Sequence, residues 1–209
     1  MSLKYAFQKM VLGPGNRDCY HAPTYEVSMH RRILLTRLDQ YQPGDPGEIA
    51  MHQRLRAFVV AHTQCFHRTL AHGHITGSSW IVNPARDRVL LLHHRKLDRW
   101  LQPGGHSDGD PNTLCVALRE AAEEAGVPCT AIRPVSSGIF DLDIHTIPAR
   151  GAEPEHEHFD IRFLFELDDR IPLKVSPESH ALAWVPLSEV VHLNPEASIS
   201  RMVAKTRSE

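Results

Sequence analysis

The stretch Gly105-His-Ser-Asp-Gly-Asp-Pro-Asn-Thr-Leu-Cys-Val-Ala-Leu-Arg119-Glu120-Ala-Ala-Glu123-Glu124-Ala-Gly126-Val127 decides the reading of this chain. Asp110 followed by Pro111 predicts an N-cap and a first helical residue, so a helix is expected over about 111–125. Leu114, Ala117, Leu118, Ala121 and Ala125 form its apolar stripe. Glu120, Glu123 and Glu124 stand at i, i+3 and i+4, which puts three carboxylates on one face. Gly126 supplies the residue that stops the helix. Three like charges repel one another unless a cation sits among them, and hard oxygen donors of this kind suit Mg²⁺ or Mn²⁺. Gly104-Gly105 lets backbone come close to the cluster and offers the Gly105 carbonyl as a further oxygen donor. Three glutamates on a helix are more often a solvated acidic face, so the surrounding pattern has to decide.

That pattern resembles the Nudix box, Gly-x5-Glu-x7-Arg-Glu-U-x-Glu-Glu-x-Gly-U, where U is a bulky aliphatic residue. Gly105, Arg119, Glu120, Glu123, Glu124, Gly126 and Val127 fall in register. Pro111 stands where the family has its first Glu, and Ala121 takes the first aliphatic position. The resemblance implies a metal-dependent hydrolase of diphosphate bonds. Water would attack a phosphorus of a nucleoside diphosphate linked to another moiety, a nucleotide-type small molecule. It also implies Glu123 and Glu124 as principal ligands of Mg²⁺ or Mn²⁺, with the Gly105 carbonyl helping. Glu120 becomes a further ligand or the base that activates water, and Arg119 an orienting ion-pair partner, for which Asp108 or Asp110 replaces the missing Glu. Glu120, Glu124 and Arg119 are thus the catalytic candidates, and Glu178, ahead of the last strand, is a candidate additional carboxylate. The alternative is a catalytically silent fold of this type acting as a nucleotide sensor. An isopentenyl-diphosphate isomerase, in the same superfamily, would need a catalytic cysteine in a context that none of the cysteines offers.

Working outward, residues 74–83, 88–93, 100–103, about 135–147, about 158–167 and about 181–185 read as strands between Gly, Pro and Asn punctuation, with a short helix near 187–192. Before them, Val27, Ile33, Leu34, Leu38 and Tyr41 recur at helical spacing. Asp45-Pro46-Gly47-Glu48 then opens a second helix with the pattern of a capping box, carrying Leu55, Phe58, Val59 and Phe66 and expected to end near Gly73. The fold class is therefore α/β (α+β): a Nudix-type mixed sheet sandwiched by helices, with an added N-terminal helical hairpin. The expected division is an arm and hairpin over 1–72 and a catalytic domain with a helical tail over 73–209. The hairpin is a candidate lid, homodimer surface or packing element.

Asp141, Asp143 and His145 alternate with Leu142 and Ile144, and His158, Asp160 and Arg162 with Phe159, Ile161 and Phe163. Paired as an antiparallel hairpin, these strands would have one apolar and one polar face. The polar face is either solvated or lines the substrate cavity, with Arg162 holding phosphate and His158 or Asp160 binding metal or substrate. His156-Glu157-His158 has transition-metal spacing but reads chiefly as ordinary loop histidines, and His106 is a neighbour of the catalytic loop.

Across all 209 residues the net charge is −2, and 42% of residues are hydrophobic against 23% charged. Such a chain buries a core and has no basic surplus to favour nucleic acid. The four cysteines are scattered without a CxxC pair, as expected of a reduced cytoplasmic protein. No apolar run approaches the roughly 18 residues of a membrane span, and Lys4, Gln8 and Lys9 interrupt any signal-peptide core.

Overall fold

Between Gly73 and Glu166 the chain lays down two long strands that become parallel neighbours, and everything else is arranged around them. The computed structural model describes residues 29–207. In order it has α1 (Met29–Gln40), α2 (Pro46–Ala61), β1 (Gly73–Val82), β2 (Arg88–His94), β3 (Arg99–Leu101), β4 (Gly104–His106), α3 (Thr113–Ala125), β5 (Arg133–Pro134), β6 (Asp141–Ile147), β7 (His156–Glu166), β8 (Ser179–Pro186), α4 (Val190–Leu193) and α5 (Ala197–Thr206). β1 and β7 pair in parallel over ten residues, from Gly73↔Glu157 to Val82↔Glu166. β4 and β2 run antiparallel along the other edge of β1, and β6 and β5 along the other edge of β7. β2 also carries β3 and β8. A parallel pair cannot be closed by a tight turn; here the connection holds α3, which packs on one face of the sheet.

The period of two decides what each face receives. On β1, Ser79 donates to the Ala117 carbonyl of α3 at 2.7 Å, and a Cβ on Gly77 would stand 2.8 Å from the Thr113 carbonyl. Ile75, Gly77, Ser79 and Ile81 therefore face α3. The glycine and the fully buried Ala117 and Ala121 let helix and strand approach at backbone distance. The small residue at the first aliphatic position is thus a packing requirement. Leu34, Leu38, Leu55, Phe58 and Val59 of the N-terminal hairpin join this same core, with Phe58 stacked on Phe159 at 3.8 Å between ring centres. The opposite face divides in two. Trp80, Val82 and Leu164 pack under α5 through Ile199, Met202 and Val203, and Trp80 Nε1 donates to Thr206 Oγ1 at 2.8 Å. The remainder of that face is polar.

Several expected boundaries move. α1 begins at Met29, so Val27 lies outside the described residues, and Ile33 is exposed while Arg31 is buried in its place. Arg31 earns this position by donating to the Val59 and Val60 carbonyls at the end of α2. α2 ends at Ala61 rather than near Gly73, because residues 62–72 form successive turns that bury Cys65 and Phe66. Asp45 caps α2 by accepting from Glu48 N at 2.9 Å, as expected. The Glu48 carboxylate, however, reaches past the cap residue to Gly44 N and on to α5. α3 starts two residues late. Asp110 accepts from Asn112 N at 2.9 Å, and this Asx turn keeps Pro111 outside the helix. Gly126 does stop α3, at φ 66° and ψ 33°. No helix among the described residues is long and apolar enough to cross a membrane.

Half of the second face is a buried ion network. Arg162, 3% exposed, donates to Asp160 at 2.8 Å, to Asp143 at 3.0 Å and to Asp141 at 3.3 Å. Asp160 also accepts from Thr76 and Ser78, both at 2.8 Å. Asp141 accepts from Arg201 and Lys205 of α5, each at 2.8 Å, and Lys205 passes on to Glu48 and Tyr41. Burial alone would raise the Glu48 carboxyl, but Lys205, Tyr41 and the Gly44 N–H together hold it at about 2.

Two predictions follow from this network. Arg162→Leu leaves the buried Asp160 without a cation and takes one from Asp141 and Asp143, and should cost about 3–5 kcal/mol in urea unfolding. Glu48→Gln should destabilise by about 2 kcal/mol at pH 7. A depressed carboxylate stabilises above its unfolded value of 4.5 and loses that contribution as the pH falls toward 2. The Tm gap between wild type and Glu48→Gln should therefore be full at pH 7 and shrink steadily below pH 4.5; a gap that stays constant down to pH 2.5 would refute the assignment.

Candidate active site

α3 presents Glu120 and Glu124 to β4, one over Gly105 and the other to the Gly104 N–H. Glu124 is 9% exposed and accepts from Gly104 N at 2.9 Å. Glu120 lies directly over Gly105, where a Cβ would strike its carboxylate, so Gly105 cannot carry a side chain while Glu120 keeps its place. Glu123, on the same face, is exposed. Arg119 Nη2 bonds Glu120 at 2.9 Å and the His106 carbonyl at 3.3 Å, tying the helix to the strand.

The expectation that Asp108 or Asp110 takes the place of the missing Glu as partner of Arg119 is corrected. Asp108 pairs with Arg68 at 2.6 Å, and Asp110 spends its carboxylate on the turn before α3. Arg119 turns to its own neighbour, because at Pro111 there is no carboxylate to draw it away. Arg68 is a residue that the sequence reading missed. It leaves the turns after α2 and holds Asp108, which sits at φ 48°. Beside it, Gly109 N donates to the Phe66 carbonyl at 2.9 Å. The loop between β4 and α3 is thus buttressed from the N-terminal segment.

The electrostatics match a site lacking a positive charge. Burial pushes Glu124 up to about 8, against the Gly104 N–H, and the charges of Glu120, Glu178 and Glu123 push in the same direction. Burial also raises Glu120, with Arg119 opposing and Glu123 and Asp108 adding. Glu178 belongs to this field although 54 residues separate it from Glu124. Arg95 holds the loop that carries it, donating to the Pro177 and Ser179 carbonyls at 3.0 Å each, with Arg95 N on the Glu178 carbonyl at 2.9 Å. Nothing in the sequence flags Arg95, since its partners are backbone atoms. Glu120, Glu123 and Glu124 of α3, with Glu178 of the β7–β8 loop acting on Glu124, offer only oxygen donors, the chemistry that suits a hard divalent cation.

The other expected substrate residues are elsewhere. β6 and β7 do pair as an antiparallel hairpin, with Asp143↔Asp160 and His145↔His158 in register. Its polar face is exposed at His145 and sealed at Asp141, Asp160 and Arg162. Arg162 is 3% exposed and locked among three carboxylates, so the expected phosphate ligand is out of reach of a substrate. Asp160 accepts three hydrogen bonds from its neighbours and is 2% exposed. Both belong to the structural network on the face turned away from α3. His158 lies on that face too, among other histidines, and His156 opens β7 rather than lying in a loop. A cavity of about 550 Å³ lies between the hairpin and α5, against Tyr41, Glu48, Arg201 and Lys205; none of the α3 glutamates lines it.

The comparisons with known proteins agree with this geometry. The family model for the NUDIX domain matches residues 74–205, and no curated protein matches the sequence. The dihydroneopterin triphosphate pyrophosphohydrolase of E. coli aligns with a TM-score of 0.50 at 16% identity, over 63% of this chain and 92% of that one. An Ap4A hydrolase of C. elegans, in a binary complex, gives 0.48 at 18% identity over 64% and 95%. The NUDIX domain of Shewanella oneidensis NrtR, in complex with ADP ribose, gives 0.44 at 16% over 64% and 86%. At 16% identity the E. coli enzyme is alike in fold alone. The family match runs from β1 through the glutamate helix to α5, well over half the chain, and this protein therefore belongs to the NUDIX domain family of hydrolases, which act on pyrophosphate bonds.

Proposed function

We propose that the chain is a metal-dependent pyrophosphohydrolase that cleaves a nucleoside diphosphate linked to another moiety by attack of water at phosphorus. The observation that supports this reading is that Glu120 and Glu124 of one helix meet β4 at Gly105 and Gly104, with Glu123 on the same helix face and Glu178 close enough for its charge to act on the buried Glu124 carboxyl. Glu120, Glu123 and Glu124, with the Gly105 carbonyl, are the residues that would hold Mg²⁺ or Mn²⁺. Bound there, such an ion neutralises diphosphate charge and lowers the pKa of the attacking water.

The chain's own residues do the rest. Arg119 pins Glu120 against β4, which fixes where its carboxylate points. Glu120 would serve as a further ligand or as the base that takes the proton of water. The Gly104 N–H holds one oxygen of Glu124 and fixes that carboxylate against β4. Glu178, on an exposed loop anchored by Arg95, adds negative charge at the rim and serves as an additional ligand or as a contact to the substrate. Pro111 removes one carboxylate from the loop, and Arg68–Asp108 takes over the positioning of that loop.

The test is phosphate release from nucleotide sugars, dinucleoside polyphosphates and (d)NTPs in the presence of Mg²⁺ or Mn²⁺, with Glu120→Gln and Glu124→Gln beside wild type. Turnover by wild type should depend on the ion and fall about a hundredfold or more in either variant. Tight nucleotide binding by a folded protein without turnover on any compound would overturn this reading in favour of a silent nucleotide sensor.

A further inference from the structure

The polar face turned away from α3 continues past the ion network into a cluster of imidazoles. In the parallel register His74 of β1 stands beside His158 of β7, and His106 of β4 pairs with Thr76, the residue two along from His74. Ring centres are 4.7 Å apart for His74–His158, 4.9 Å for His74–His106 and 5.2 Å for His106–His158. One ring nitrogen from each of the three lies within 4.8 Å of the others. His156 adds its ring at 5.1 Å from His74 and 5.2 Å from His158, and His145 flanks His158 at 5.4 Å.

These rings lack the partners that buried imidazoles ordinarily have. His74 is 1% exposed, yet neither of its nitrogens has a hydrogen-bond partner. The Nε2 atoms of His156, 7% exposed, and of His158 are buried and unpartnered too. A neutral imidazole offers one N–H and one lone pair, and leaving either buried and unmade costs on the order of 1–3 kcal/mol. Unpartnered nitrogens on rings that crowd together, with one nitrogen each of His74, His106 and His158 within 4.8 Å, are what remains when the shared partner is an atom other than protein.

We propose that His74, His106 and His158 form a binding site for one divalent transition-metal ion of the Zn²⁺ class, separate from the glutamates and on the opposite face of the sheet. An all-imidazole donor set selects Zn²⁺, Co²⁺, Ni²⁺ or Cu²⁺ over Mg²⁺. His156 lies next to this trio, with its Nδ1 on the Pro154 carbonyl at 2.9 Å and its Nε2 3.9 Å from a Glu153 carboxylate oxygen, so the fourth position is left to water or an added ligand. Zn–N bonds of about 2.0–2.1 Å require ligand nitrogens roughly 3.4 Å apart in a tetrahedron, so the rings close inward slightly on loading. The ion would join β1, β4 and β7, and through His106 it would brace the strand whose Gly105 meets Glu120.

The experiment uses the full chain stripped with chelator and titrated with Zn²⁺ by calorimetry, and separately with Co²⁺ while its visible ligand-field bands are recorded. Wild type and Glu124→Gln should each take up one tight equivalent with the same Co²⁺ spectrum and a raised Tm. His106→Gln and His158→Gln, at partly exposed positions that keep the fold, should weaken that equivalent beyond the roughly 10–100-fold that loss of an outer-shell partner brings. The proposal is overturned if wild type takes up no tight Zn²⁺. It is equally overturned if Glu124→Gln abolishes uptake, or if the histidine variants, still folded by circular dichroism, bind Zn²⁺ as wild type does.

Discussion

Arg162 is the residue on which the tertiary arrangement turns. A guanidinium at 3% exposure is tolerable only where its donors are met by fixed acceptors. Here Asp141, Asp143 and Asp160 meet it from two strands while Thr76 and Ser78 of a third hold Asp160 in place. The charges do not stop there. Arg201 and Lys205 bring α5 onto Asp141, and Lys205 carries the chain of contacts to Glu48 and Tyr41 in the N-terminal hairpin. The two terminal additions to the sheet therefore meet each other over the edge strand β6. A hydrophobic contact would allow them to slide; a network with satisfied donors and acceptors specifies one position.

The opposite face is built on closeness rather than charge. Gly77 under Thr113, Ala117 and Ala121 bring α3 to the sheet at backbone distance, Gly105 leaves room for the Glu120 carboxylate and the Gly104 N–H receives Glu124. Glu120 and Glu124 are consequently sunk between helix and strand, which raises their proton affinity. Strand β4 serves both faces at once. Gly105 looks toward Glu120, and one residue later His106 looks toward His74 and His158. Alternation along a three-residue strand thus places an oxygen-donor cluster and a nitrogen-donor cluster back to back.

The hairpin of α1 and α2 shares the core under α3, and the turns that follow it send Arg68 to Asp108 and the Phe66 carbonyl to Gly109. These contacts make the N-terminal helices part of the support of the loop between β4 and α3. A chain lacking the box carboxylate at position 111 still has that loop held from one side by an ion pair and from the other by the turn at Asp110.

The glutamate helix, its stop at Gly126, the strand pattern and the hairpin were legible from residues alone, because spacing along one helix and alternation along one strand are local properties of the chain. The same local logic paired β6 with β7 and put Asp141, Asp143, Asp160 and Arg162 on one face. It could not say whether that face met water, substrate or protein. That depended on α5 and on Glu48, which arrive from opposite ends of the chain. Arg162 looked like a phosphate ligand because a lone arginine on a polar strand face has the right chemistry; three carboxylates from other positions had already engaged it. Arg68 and Arg95 escaped notice because an arginine that holds a loop by its carbonyls or through one aspartate carries no motif. The histidines show the division most plainly. Single residues at 74, 106 and 158 have no shared spacing in sequence, and only the parallel pairing of β1 with β7, with β4 alongside, brings their rings together. Sequence determines what sits one turn or one pleat away; which distant residues share a desolvated volume is decided by packing, and the charge and coordination chemistry of this protein follow from that volume.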